Sequence, residues 1–206
     1  MSLQVIHAQA PAELDLAYRC HHDWYVQAGY LQPQTTGLFR DRFADCADYY
    51  LVCAGGQDAD YLAPAGATGL VRLIYQHPMP MFIDFELSRL SQVRLFNTEP
   101  ADFLEISALS WKPGMECVLP YLYRAIWQGA QARNRHWLIA SLDKRLLEQV
   151  RAHGLPFRVG GESRCYMGSI TTPVYFHTEQ IASVLPERNP KLWALMQAPV
   201  DEAVCI

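Results

Sequence analysis

"FLEISALSW", residues 103 to 111, sets a single acid among Phe103, Leu104, Ile106, Ala108, Leu109 and Trp111. A short run this apolar reads as a strand buried on both faces. A lone carboxylate in such a strand is costly unless it is paired, hydrogen-bonded or kept neutral by a raised pKa. Glu105 is therefore the first candidate for chemistry. Alternation along a strand puts residues 103, 105, 107, 109 and 111 on one face, so Glu105 and Ser107 are expected to emerge together beside Phe103, Leu109 and Trp111.

The elements on either side build an α/β pattern. Residues 12–29, AELDLAYRCHHDWYVQAG, repeat Leu14, Ala17, Tyr18, His21, Trp24 and Tyr25 at three- and four-residue steps, which predicts a helix stopped at Gly29. DYYLVCAGG (48–56) and ATGLVRLIYQ (67–76) read as two strands joined near Gly55 and Gly56, and the Pro-rich HPMPMFIDFE (77–86) reads as irregular. After the central strand, LPYLYRAIWQGAQARNR (119–135) predicts a helix with Pro120 in its first turn, and HWLIASLD (136–143) a strand. Asp143 is placed to cap a helix over 144–154 that ends at Gly154. Further strands are expected in 157–168 and 172–178, and Asn189-Pro190 opens a last helix. The order predicts a mixed α/β sheet flanked by helices.

Of 206 residues, 50% are hydrophobic, enough for one core, so a single domain over 1–206 is expected, with a C-terminal helical extension from about 178. A formal charge of −4 gives no global attraction to nucleic acid or an anionic membrane. The N-terminal stretch lacks the layout of a secretory signal, and no window approaches the roughly 20 apolar residues of a membrane span. Six scattered cysteines without a CxxC pair suggest reduced thiols in a cytosolic protein. Cys20, His21, His22 and Asp23 are consecutive, so a helix points them apart and they make a poor metal chelate.

Several blocks in order carry a resemblance. Tyr18 to Tyr25 keeps half of a Tyr-Arg-Leu-Arg-Tyr-Glu-Val-Tyr pattern. Asp41, Phe43, Ala44, Asp45, Ala47, Tyr49, Tyr50, Leu51 and Val52 approximate an acidic, aromatic run leading into a strand. Gly69, Leu70, Val71, Arg72 and Leu73 match Gly-x-x-Arg-Leu, and Glu105, Ile106, Ser107, Ala108 and Leu109 match Glu-Ile-Ser-Arg-Leu with Ala for Arg. RLLEQVRAHGLPFRVGG and CYMGSITTPVYF supply the ending. The chain thus resembles the long-chain N-acyl amino acid synthases, including the exosortase-associated set, which are relatives of the autoinducer synthases and share the GNAT-like (acyl-CoA N-acyltransferase) fold.

The resemblance implies transfer of a fatty acyl group from an acyl carrier protein thioester to the amine of an amino acid or related metabolite. Such a reaction needs a base for the amine proton, donors for the developing oxyanion, and alignment of the reactants. Glu105, Arg72 and Ser107 are the expected catalytic group, with Glu105 as base and Arg72, on the face of Leu70 and Ile74, as its favoured ion-pair partner. Asp41, Asp45, Tyr25 and Trp111 are candidates for binding substrate; Trp111, Tyr121, Tyr123, Ile126, Trp127 and Trp137 are candidates for an acyl groove.

Coenzyme A dependent members of the fold carry a Gly-x-Gly/Ala turn that holds pyrophosphate at a helix N-terminus. Here WKPGMECVLPYL offers only Gly114. An acyl-phosphopantetheine on an acidic carrier protein is the expected donor, no tightly bound cofactor is expected, and acyl-CoA is the alternative. The expected docking patch is Arg133, Arg135, Lys144 and Arg145, extended by Arg124 and Arg151. The other readings are a coenzyme A dependent acetyltransferase and a non-catalytic descendant that binds an acylated carrier or metabolite.

Overall fold

The computed structural model describes residues 2–55, 66–76, 78–84 and 99–199. Strand β1 (Ser2–Ala8) precedes helix α1 (Pro11–Gln27), then come β2 (Ala47–Gly55), β3 (Ala67–Ile74), a short α2 (Pro80–Asp84) and β4 (Phe103–Trp111). They are followed by α3 (Leu119–Ala132), β5 (Trp137–Asp143), α4 (Lys144–Ala152), β6 (Arg158–Val159), β7 (Arg164–Tyr166), β8 (Ser169–His177), α5 (Thr178–Arg188) and α6 (Pro190–Gln197). Strand β1 was not anticipated, although Leu3 and Val5 alternate correctly and are both buried. The Pro-rich stretch is not wholly irregular, since Pro80 opens α2 at a helix's first turn, where its missing N–H is tolerated. Gly56 and Cys205 lie outside the described residues.

Eight strands form one sheet in the order β1-β2-β3-β4-β5-β8-β6, with β7 also on β8. Neighbours are antiparallel except β4 and β5, which run parallel. Tyr50, Val52, Val71, Leu73 and Leu104 face α3, while Tyr49, Leu51, Cys53 and Leu70 face α1. This alternation is what two-sided burial requires. Helix α3 lies so close to the sheet that a Cβ on Gly129 would come within 2.5 Å of Leu73 Cδ1. Helices α5 and α6 pack onto the α3 side, and Arg124, fully buried, donates from Nε to the Ala198 carbonyl at 3.0 Å. Arg124 is thus a tie within the fold and leaves the expected docking patch.

Two local features open the sheet. Pairing of β4 with β5 runs only from Phe103↔Trp137 to Ile106↔Ala140. Beyond it β4 continues along β3, and β5 along β8. In β4 the register to β3 jumps between Arg72↔Ser107 and Leu70↔Ser110, and Ala108 has φ +50°. The extra residue is a β-bulge. It overturns the simple alternation expected from the sequence: Glu105, Ser107 and Ala108 end on the α1 side, whereas Leu109 and Trp111 pack with Leu104 and Ile106 on the α3 side.

Left-handed backbone costs an L-residue about 1–2 kcal/mol and a β-branched one more. Ala108→Val is expected to destabilise the protein by about 2 kcal/mol, and Ala108→Gly to stay within about 1 kcal/mol of wild type, by urea unfolding midpoints at constant m.

Candidate active site

Where β4 and β5 part, a cleft of about 770 Å³ opens. Its walls come from α1, the loop through Phe39 and Asp41, the bulged end of β4, the end of α2, and the β7–β8 hairpin. Glu105 lies at its base, 4% exposed, and its Oε2 accepts a hydrogen bond from the Met81 N–H at 2.9 Å. Burial pushes its carboxyl up to about 8, against the opposing effects of that N–H and of the Arg72 charge. Glu105 is therefore a proton acceptor poised close to neutral pH.

Arg72 does not pair with Glu105 as expected from the sequence. Its Nη1 donates to Asp41 Oδ1 at 2.8 Å and its Nη2 to Ser107 Oγ at 3.0 Å. The Tyr49 phenol lies against the same guanidinium inside the core. The register explains the change: Arg72 is opposite Ser107, while Glu105 is opposite Ile74 one step away. Asp41, on the loop before β2, reaches over to supply the anion that a buried guanidinium needs. Arg72, Asp41, Ser107 and Glu105 nonetheless share the cleft.

Tyr25 and Trp111 also line the cleft. Burial pushes the Tyr25 phenol up to about 12, and a backbone hydrogen bond ties it to the bulge residue Ala108. Asp45 stays outside, exposed and paired with Arg40 at 2.6 Å. The expected docking residues divide. Arg133 and Arg135 follow α3 beside the start of β5, where Arg133 bonds to Asp48 and lies over the Tyr75 ring; Lys144 and Arg145 follow the opposite end of β5 at the cleft rim. Arg145 pairs with Glu116 at 2.6 Å and lies over Trp111 at 5.8 Å, while Arg151 lies over Phe157.

Other residues line the cleft that the sequence did not assign to it. Asp143 caps α4 by accepting from the Leu146 N–H at 2.7 Å, as its position suggested, and its other oxygen accepts from the Tyr30 hydroxyl at 3.0 Å. That bond joins residues 113 positions apart. Tyr166, from the β7–β8 hairpin, donates to Asp84 at 2.8 Å across a similar gap. His21 also lines the cleft; burial pushes its imidazole pKa well down and keeps it neutral. On the far side of β4 and β5 lies a nearly dry apolar cavity of about 30 Å³, bounded by Ile106, Leu109 and Leu142, which it shares with the cleft, and by Tyr123, Ile126 and Trp127. Tyr121 and Trp137 line neither space. Among the described residues no cluster of three or more potential metal ligands occurs, and no helix is long and apolar enough to cross a membrane.

An acid whose folded pKa lies above its unfolded value binds a proton more tightly when folded. Its contribution to stability is present below about 4.5 and is lost as pH rises towards about 8. Glu105→Gln removes that dependence. The melting temperature of the Gln variant relative to wild type is expected to climb between pH 5 and 8 and then level off; parallel curves would remove the raised carboxyl.

No family model matches the chain, and no curated protein matches it. Solved structures do. BjaI, a CoA-dependent acyl-homoserine lactone synthase solved with SAM and isopentyl-CoA, superposes with a TM-score of 0.67 at 17% identity, over 91% of this chain and 88% of that one. TofI, solved in a ternary complex with an inhibitor and MTA, gives 0.66 at 20% identity, over 93% and 100%. FeeM, an N-acyl amino acid synthase from uncultured soil microbes, gives 0.64 at 14% identity, over 88% and 95%. The expected α/β architecture is therefore correct: this chain has the GNAT-like fold of the acyl-homoserine lactone synthases and of an N-acyl amino acid synthase.

Proposed function

We propose that the chain is an N-acyltransferase that moves a fatty acyl group from a thioester, carried by the phosphopantetheine of an acyl carrier protein, to a small amine. The observation that carries this reading is Glu105, a carboxyl poised near pH 8 at the base of a cleft that opens where β4 and β5 part. The amine docks as its ammonium and gives a proton to Glu105, and its nitrogen attacks the thioester carbonyl. The C–N bond forms, the C–S bond breaks, and the thiolate takes up a proton and leaves as the thiol. A bulge frees strand backbone groups from the ladder, so the N–H groups near Ala108 are the donors assigned to the oxyanion. Arg72, fixed by Asp41 and Ser107, keeps the cleft floor rigid beneath the acceptor. The apolar cavity beyond Ile106 and Leu109 takes the start of the acyl chain.

A carrier-bound donor is favoured by the turn before α3. Glu116 stands there, where GNAT-like enzymes hold the pyrophosphate of coenzyme A, and its carboxylate engages Arg145. A pyrophosphate would meet a like charge at that point, whereas carrier-bound phosphopantetheine presents only a single phosphodiester charge.

Loss of a general base typically costs 10²–10⁴ in rate. Glu105→Gln is expected to cut turnover about 100-fold without unfolding the protein, and wild-type turnover is expected to rise with pH through about 8; thiol release from an acyl donor in the presence of amines measures both. Equal turnover in the two proteins excludes Glu105 as the base. Reversing charge at Lys144 and Arg145 together is expected to raise KM for an acyl carrier donor about tenfold and to leave KM for the matching acyl-CoA unchanged. Equal effects on both donors count against carrier docking at this rim.

A further inference from the structure

The same cleft also constrains its acceptor, given the acyl-transfer reading above. An amino acid brings a carboxylate, and a carboxylate in a partly desolvated cleft needs a cation with free donors. Among the described residues, Arg72 and Arg145 are the cations that line the cleft. Arg72 is 4% exposed, with its terminal nitrogens on Asp41 and Ser107, and its Nε, which finds no partner among the described residues, has no surface open to a ligand. Arg145 sits at the rim, where Glu116 holds it. Ala108, at the bulge, is 2% exposed and brings no charge.

The acidic side is fuller. Glu105 and Asp84 both line the cleft and lie near enough for the Asp84 charge to raise the Glu105 carboxyl. Asp84 Oδ2 accepts from the Tyr166 hydroxyl, and Arg164 donates to the Asp84 backbone carbonyl at 2.9 Å. The rings of Trp24, Tyr25, Phe39 and Phe43 also line the cleft, and their π faces attract cations and disfavour a carboxylate.

We infer that the acceptor is a carboxylate-free aliphatic diamine: Glu105, once ionised, receives the reacting ammonium and Asp84 the distal one. Transfer turns one amine into an amide, releases the donor's thiol and one proton, and leaves the second ammonium charged.

Matched pairs test this. Binding of cadaverine against lysine, and of putrescine against ornithine, is measured by calorimetry on the full chain, with pentylamine as the monoamine probe. Each diamine is expected to bind at least tenfold more tightly than its amino acid. Asp84→Asn is expected to weaken cadaverine about tenfold and to leave pentylamine within twofold. Ala108→Arg, which places a cation at the bulge, is expected to swing the lysine-to-cadaverine ratio about tenfold towards lysine. Equal or tighter binding of the amino acids overturns the inference, as does millimolar diamine that fails to bind. Thiol release with the same amines is scored separately: selective binding without any acylation overturns the transfer reading while upholding the diamine selectivity of the cleft.

Discussion

Hydrogen bonding between β4 and β5 stops at Ile106 and Ala140, and the cleft follows from where it stops. Backbone N–H and C=O groups inside a protein have to be paired. Past that point β4 is paired by β3 and β5 by β8, so the two strands are drawn apart by their outer neighbours. The gap between them cannot be closed by backbone, and side chains line it instead. One continuous sheet thereby acquires a cleft without losing a strand.

The bulge at Ala108 works on the same region. One extra residue opposite β3 keeps the ladder aligned on both sides of it, yet switches which side chains face which layer. Without it, Leu109 and Trp111 would share the face of Glu105. With it, both pack on the α3 side and Leu109 borders the apolar cavity, while Glu105 and Ser107 remain beside α1. The polar cleft and the apolar cavity thus meet at Ile106, Leu109 and Leu142, where β4 and β5 part.

Electrostatics then divides the charged groups into settled and unsettled ones. The buried Arg72 charge is matched by Asp41 at 2.8 Å, and a pair of that kind holds a geometry more than it adds stability. Glu105 receives a single backbone N–H and no guanidinium, which leaves its proton affinity high. Had Arg72 paired with Glu105, the carboxyl would be held ionised and its proton affinity would fall.

Much of this was legible in the chain itself. Period-2 and period-3.6 patterns identified β2 to β5, α1, α3 and α4, because two-sided burial and amphipathic packing impose those periods locally. Asp143, Asn189 and Gly154 marked helix ends because capping is decided within a few residues: Asn189 accepts from the Leu192 N–H at 3.1 Å, and Gly154 has φ +80°. The cost of burying Glu105 was equally a local fact. What only the tertiary structure decided were matters of register and long-range reach: the bulge that moved Leu109 and Trp111, the choice of Asp41 over Glu105 by Arg72, the separation of Arg133 from Arg145, and the bonds of Tyr30 to Asp143 and Tyr166 to Asp84. A sequence names which groups must find partners, but the partner is set by which strands lie side by side and where their pairing ends.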